Sequence, residues 1–269
     1  MKDKTFEGVA DTLYIPLAAR VYVSKRFPEY FYDPKSLELE SAIPGNSIQK
    51  GSNEYTMIAS AARNHNLDQM ARAYIAAHPA CNVANVGCGL ETMFWRVGPD
   101  APDARFYEMD LPEVIETRRR VLGEPERDEL IAGDAFDLSW ADGLDATLPT
   151  LIIVSGVFQY FRNADVLGFI ADAKGAFADA ELVFDATNTK GLEYVNRYVQ
   201  KTGNKSALMY CAIDDPATFA SEAGCELIEV RPFYASARRI LKGKVGLYAK
   251  VAMVITDRTG RAFLLHMKL

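Results

Sequence analysis

The sequence predicts an α/β chain built on a mostly parallel sheet, and three observations carry that expectation. From about residue 81 onward, short apolar runs alternate with stretches of helical composition, the pattern of strands joined by crossover helices. The run Leu151-Ile-Ile-Val154 is apolar at every position, as a strand buried on both faces requires. Asn82-Val-Ala-Asn-Val86 runs straight into Gly87-Cys88-Gly89. A carboxylate, Asp110, closes the next strand roughly 20 residues later, the spacing of a nucleotide-binding βαβ unit.

The elements follow in order. Up to about Pro79 there is no strong strand signal. Met57 to Ala77 is rich in Ala, Arg and Met with apolar residues at helical spacing, so it reads as a helix that Pro79 stops. Strands are expected at Val83–Val86, Arg105–Met109, Glu129–Ala132, Leu151–Ser155, Leu182–Asp185 and Glu226–Pro232, with helices over Pro112–Leu122 and Asp165–Ala178. The late apolar run Tyr248–Thr256 reads as a last, antiparallel strand. Asn188 to about Ala212 is a polar-aromatic insertion. The expected organisation is an N-terminal helical extension over 1–80, then a core over 81–269 with the insertion at about 188–212. Extension and insertion would roof the carboxyl ends of the strands, where open α/β sheets bind ligands.

Composition narrows the function classes. The chain is 49% hydrophobic and 25% charged over 269 residues, enough to bury a substantial core. A net charge of −6 argues against a general nucleic-acid surface, which needs a basic face. Cys81, Cys88, Cys211 and Cys225 form no C-x-x-C pair, and His65, His78 and His266 are scattered. No metal site or disulfide framework is expected, and a reducing cytoplasm is the expected setting. Asp3, Glu7 and Asp11 interrupt any N-terminal apolar run, so no secretory signal is read. No stretch has the length and apolarity of a membrane span.

The glycine turn points to a nucleoside ligand. Two glycines let backbone N–H groups approach a ligand that a Cβ would hold off. An acid at the end of the second strand can grip both ribose hydroxyls. Thr92 stands where a dinucleotide fingerprint has its third glycine. That disfavours a pyrophosphate and fits S-adenosylmethionine (SAM). Glu108, two residues before Asp110 and on the same strand face, is the rival acid.

Asn85-Val-Gly-Cys-Gly-Leu-Glu-Thr92, Phe94-Trp-Arg96 and Phe106-Tyr-Glu-Met-Asp-Leu-Pro-Glu-Val114 together resemble the leucine carboxyl methyltransferase family. Within it the chain is similar to the bacterial branch of tetracenomycin-type polyketide O-methyltransferases. Arg118-Arg-Arg120, Ile131-Ala-Gly-Asp134 and Asp137-Leu-Ser-Trp140 match that branch as well. The resemblance runs from about Asp11 to Tyr160. It implies a Rossmann-like class I SAM-dependent methyltransferase sheet, SAM as cofactor, and a small-molecule acceptor.

Site residues carry over one at a time. Gly87, Cys88 and Gly89 match the turn under the amino-acid moiety of SAM. Asp110 and Leu111 match the ribose side, and Asp134 with Ala135 the adenine side. Arg63 matches an arginine that pairs with the SAM carboxylate, and a guanidinium fork suits that geometry. Arg96 is a family position on the first helix after the turn. Ser155 stands where the family has an acid in an E-G-x-x-x-Y pattern, and Met93 stands where it has an arginine. Those two departures leave open a non-catalytic or regulatory relative that binds SAM. Protein C-terminal carboxyl methylation is a further alternative. A nicotinamide oxidoreductase shares the strand–glycine–acid pattern, but Thr92 counts against it. Tyr160, Arg20 and Arg162 are candidates for the acceptor side. Phe27, Tyr30, Phe31 and Tyr32, and Tyr194, Tyr198 and Tyr210 in the insertion, are candidates to line a pocket for a flat acceptor.

Overall fold

The computed structural model describes residues 4–43, 53–202 and 208–269. Three helices come first: α1 (Lys4–Arg26), α2 (Pro34–Glu38) and α3 (Glu54–Ala77). Asn53 caps α3 by accepting the Thr56 N–H at 3.0 Å, while the Thr56 hydroxyl takes the Asn53 N–H at 3.0 Å. That reciprocal box satisfies two N–H groups that a helix start leaves open. It starts the helix three residues earlier than apolar spacing alone suggests.

Strands and helices then alternate: β1 (Asn82–Val86), α4 (Met93–Val97), β2 (Arg105–Asp110), α5 (Pro112–Leu122), β3 (Asp128–Ala132), β4 (Thr150–Val154), α6 (Asn163–Ala176) and β5 (Ala180–Thr187). The chain continues through α7 (Thr189–Thr202), α8 (Pro216–Glu222), β6 (Glu226–Pro232), α9 (Ala235–Ile240), α10 (Leu247–Arg258) and β7 (Ala262–Lys268). All seven strands form one sheet in the order β3-β2-β1-β4-β5-β7-β6. β1 to β5 pair in parallel, and β7 runs antiparallel to both β5 and β6. The winding reverses between β1 and β4, which opens a crevice at their carboxyl ends.

Side chains alternate across the sheet. Val83, Phe106, Leu151, Ile153 and Val183 face a core shared with Val23 and Phe27 of α1, Ile58 and Ala61 of α3, Ala237 of α9 and Met253 of α10. Ala84, Val86, Tyr107, Met109, Ile152, Val154 and Phe184 face α6 and α8 through Val166, Phe169, Ile170 and Phe219. Phe27, Tyr30 and Phe31 are therefore packing residues between the N-terminal helices and the sheet, not pocket walls, while Tyr32 is exposed.

The Tyr248–Thr256 expectation is corrected: these residues lie in α10. A run apolar at almost every position does not distinguish strand from helix by period. Ala249, Met253 and Thr256 are buried at helical spacing, while Leu247, Tyr248, Val251 and Ile255 on the opposite side are exposed. Two apolar faces read as one unbroken run. The antiparallel strand is the next segment, reached through Gly260 at φ 59°.

Beneath the glycine turn, β2, α5 and β3 enclose Glu108, Arg118 and Asp128, all fully buried. Arg118 Nη2 lies 3.2 Å from Glu108 Oε1 and 3.6 Å from Asp128 Oδ2. Its Nη1 donates to the carbonyls of Glu91 at 2.6 Å and Gly89 at 3.3 Å, clamping the turn from below. Burial drives the Glu108 carboxyl well above the usual range and raises Asp128 to about 6, with Arg118 offsetting part of each rise. A carboxyl that holds its proton more tightly when folded stabilises fully below its unfolded pKa. That contribution is lost as pH rises through the folded value. From about pH 4 to pH 7 the wild type should lose stability relative to Asp128→Asn by on the order of 1–3 kcal/mol. Urea midpoints across that range read the difference, and a pH-independent difference would refute the assignment.

Candidate functional site

Strand alternation sets Asp110 and Ser155 on the sheet face covered by α3. Gly87 and Gly89 have φ of 71° and 51°. A Cβ on Gly87 would lie 2.3 Å from Val157 Cγ2, so the backbone here approaches the chain after β4 closer than any side chain allows. The N–H groups of Gly87 and Cys88 both reach the Met109 carbonyl, at 2.8 and 3.1 Å. Cys88 is buried between the two glycines. Gly87→Ala meets both the clash and a positive φ, which alone costs about 1–2 kcal/mol. It should lower the denaturation midpoint and weaken ligand binding together, read by urea titration and calorimetry.

Asp110 is anchored by the same turn. Its Oδ2 accepts the Gly89 N–H at 2.7 Å and its Oδ1 the Leu111 N–H at 2.8 Å. Partial burial raises its pKa, and those two N–H groups pull it back. Each oxygen keeps a further lone pair for a ligand hydroxyl. Glu108 cannot compete, because it is fully buried against Arg118 and accepts from Asn85 at 3.2 Å. Gly133 N–H donates to the Asp110 carbonyl at 3.0 Å, which sets Asp134 and Ala135 beside Leu111 at the ends of β3 and β2. Asp134 is exposed and caps its own turn by accepting the Phe136 N–H at 3.0 Å. The Ala135 carbonyl accepts Trp140 Nε1–H at 3.2 Å.

Arg63 reaches over the end of β4 from α3. A Cβ on Gly156, whose φ is 70°, would lie 2.1 Å from Arg63 Nη1. Arg63 Nε is 3.6 Å from Asp185 Oδ2, too far for a hydrogen bond, and is buried with no hydrogen-bond partner among the described residues. Asp185 in turn accepts the Gly156 N–H at 2.6 Å. Ser155 is half-buried beside it. Asp185 is not among the residues expected from the sequence, yet it carries a local signal. It follows the apolar run Leu182-Val-Phe184 much as Asp110 follows Phe106-Tyr-Glu-Met109.

Arg20 and Arg96 lie in a buried ionic network that fastens α1 and α2 to the turn. Arg96 grips Asp68 through two hydrogen bonds of 2.7 and 2.8 Å. It also reaches Glu91 at 2.7 Å, Thr92 Oγ1 at 2.7 Å and Asp33 at 3.1 Å. Arg20 donates to Asp33 at 3.1 Å, Ser36 at 3.0 Å and the Leu90 carbonyl at 2.5 Å. It is only 2% exposed, so the acceptor-side role expected for it gives way to a positioning one. Met93 is buried in the core under α3.

The aromatic candidates separate. Tyr160 is exposed in the turn after β4. Arg162 is exposed, and its N–H is held by Asp165 at 3.0 Å at the start of α6. Tyr210 N–H donates to the Gln159 carbonyl at 2.8 Å, laying that segment along the same turn. Tyr194 on α7 and Tyr248 on α10 bring their hydroxyls to 3.3 Å. Tyr198 has its side chain outside the described residues.

The leucine carboxyl methyltransferase family model matches residues 14–172, which include the turn, Arg63, Asp110, Asp134 and Ser155. The chain belongs to the leucine carboxyl methyltransferase family. It is 26% identical over 244 residues to the tetracenomycin polyketide synthesis O-methyltransferase TcmP of Streptomyces glaucescens, covering 87% of this chain and 88% of that protein. A DUF574-family protein from Streptomyces avermitilis superposes with a TM-score of 0.60 at 16% identity, covering 93% of this chain and 96% of that one. A magnesium protoporphyrin IX methyltransferase from Synechocystis, solved with bound S-adenosylhomocysteine (SAH), gives 0.50 at 13% identity over 87% and 94% of the two chains. The chain is a SAM-dependent methyltransferase, with the mostly parallel sheet and antiparallel last strand that its sequence predicts. The residues fit that cofactor: a turn with no room for a Cβ at Gly87, an acid anchored at the crevice rim, and a guanidinium with an unused buried donor. No described helix is long and apolar enough to cross a membrane. No group of three or more His, Cys, Asp or Glu among the described residues could hold a metal.

Proposed function

We propose that this methyltransferase acts on an oxygen, hydroxyl or carboxylate, of a small polyketide-like or other secondary-metabolite acceptor in the cytoplasm. The observation that carries this reading is a rim of phenols near the carboxyl end of the sheet. α7 follows β5 directly, and the start of β7, just after α10, pairs with the end of β5. Tyr194 and Tyr248 meet there, Tyr248 lies edge-on to Tyr55 at 6.1 Å, and Tyr55 bonds Thr256 at 3.0 Å. Tyr55 sits on α3 eight residues before Arg63, about 12 Å along the helix. Such a rim offers flat apolar faces and hydroxyl tips to an aromatic acceptor. The tetracenomycin relative supports the same substrate class.

SAM, when bound, supplies a methyl group on an already activated sulfonium, so the protein's task is alignment and exclusion of water. In this reading Asp110 holds the ribose hydroxyls with Leu111 beside it. Asp134 meets the adenine amino group with Ala135, and Arg63 takes the carboxylate. Gly87, Cys88, Gly89 and Ser155 line the donor. Tyr160 lies on the acceptor side, and Arg20 keeps the turn in place. The hydrogen bond with Tyr248, together with burial, pushes Tyr194 up to about 12. It therefore acts as a donor near neutral pH and orients an acceptor rather than deprotonating it. A carboxylate acceptor is already ionised and needs no base.

The test is transfer from methyl-labelled SAM to a panel of aromatic phenols, aromatic acids and a leucine-terminated peptide. Label in a small aromatic acceptor is expected, and alkaline lability distinguishes an ester from an ether. Label confined to the peptide would replace this reading with protein carboxyl methylation. SAM binding without transfer to any acceptor would favour a regulatory role.

A further inference from the structure

We propose that Asp185 supplies the carboxylate that receives the α-ammonium group of the bound S-adenosyl amino acid, in place of the acid that family members carry at position 155. The proposal rests on the methyl-donor reading of the site. β4 and β5 run parallel with Ile153 opposite Val183 and Val154 opposite Phe184. Ser155 and Asp185 are the next residues after that last pair, and strand alternation puts both on the same face of the sheet. A carboxylate moved from 155 to 185 shifts by a single strand spacing, about 4.8 Å. It also leans back towards β4, since Asp185 Oδ1 accepts the Gly156 N–H at 2.6 Å.

Arg63 provides the complementary half. Its Nη1 occupies the space that a Cβ on Gly156 would need. Its Nε is 3.6 Å from Asp185 Oδ2 and makes no hydrogen bond. A closed guanidinium–carboxylate pair sits at about 2.7–2.9 Å, so this pair is open. An amino-acid zwitterion carries the two charges that complete it: its carboxylate suits Arg63 and its ammonium suits Asp185. Binding then breaks no formed hydrogen bond between the two residues. Of the acids along β2 on this face, Asp110 is held by the turn and faces the ribose side, and Glu108 is buried against Arg118.

The test is calorimetric titration of SAH and of its desamino analogue, which keeps the carboxylate and lacks the ammonium. Wild-type protein should prefer SAH by about 10- to 100-fold, the worth of a charged hydrogen bond. Asp185→Asn can still accept the Gly156 N–H. It should lose that preference by weakening SAH alone, with the desamino analogue changed less than about twofold. Ser155→Glu added to Asp185→Asn should recover part of the loss by restoring an acid one strand away. Equal weakening of both compounds would overturn the proposal and leave Asp185 as a residue that merely positions Arg63. Unchanged SAH affinity in Asp185→Asn would overturn it outright. If wild-type protein bound neither compound, the methyl-donor reading itself would fall and the proposal with it.

Discussion

Asp110→Ala should weaken SAM binding by about 1.5–3 kcal/mol, the worth of hydrogen bonds to a charged group, or roughly 10- to 100-fold in Kd. Two losses combine. The ribose hydroxyls lose their acceptor, and the N–H groups of Gly89 and Leu111 lose the oxygens that hold them at 2.7 and 2.8 Å. The turn that approaches the ligand is then less ordered, and ordering it on binding costs affinity. Asp110→Asn separates the two effects. Its single carbonyl oxygen can hold one N–H, so its loss should fall between wild type and Ala. Calorimetry on all three proteins checks the order. Equal affinity for wild type and Ala would remove Asp110 from the site.

Arg96→Met should produce the largest loss of stability, about 3–5 kcal/mol. The guanidinium is 4% exposed and touches Asp33, Asp68 and Glu91 at once, with its face on Phe31 at 5.0 Å. Methionine fills much of the volume and supplies none of the charge, so three buried acids face each other with only Arg20 nearby. Burial alone would raise Asp33 and Glu91, yet Arg96 and Arg20 hold both below the usual carboxylate range. Their contribution is therefore present above the unfolded pKa and lost as pH falls through the folded value. Asp68 goes the other way, raised by burial that Arg96 only partly offsets. At 2–4 °C per kcal/mol for a chain of this size, Tm should drop on the order of 10 °C. Arg96→Lys should recover only part, because one ammonium cannot fork to several partners. A change of under about 1 kcal/mol in Arg96→Met would show that the network adds no net stability.

The parts of this molecule that could be read in advance are those encoded locally. A buried parallel strand is a short apolar run, and a glycine pair before a helix with an acid about 20 residues on is a spacing. Hence β1 to β5, α5 and the meeting of Asp110 with the Gly87–Gly89 turn were legible. α10 was not, because Leu247, Tyr248, Val251 and Ile255 make its outer face as apolar as its inner one, which erases the helical period. Arg20 and Asp185 were not legible for a different reason. Their roles depend on partners distant in the chain: Asp33 and Leu90 for Arg20, and Gly156 and Arg63 for Asp185. Only tertiary structure shows whether a charged residue faces a ligand, a partner or solvent. Ser155 illustrates the point, since its missing carboxylate reads as a loss until the neighbouring strand is seen to carry one.

The most direct measurement is calorimetric titration of the purified protein with SAM and, separately, with NADH. Micromolar binding of SAM with no binding of NADH is the expected result, with the turn at Gly87–Gly89, Asp110 and Arg63 as the site. Binding of NADH without SAM, or of neither, would contradict the assignment of this crevice to a methyl donor.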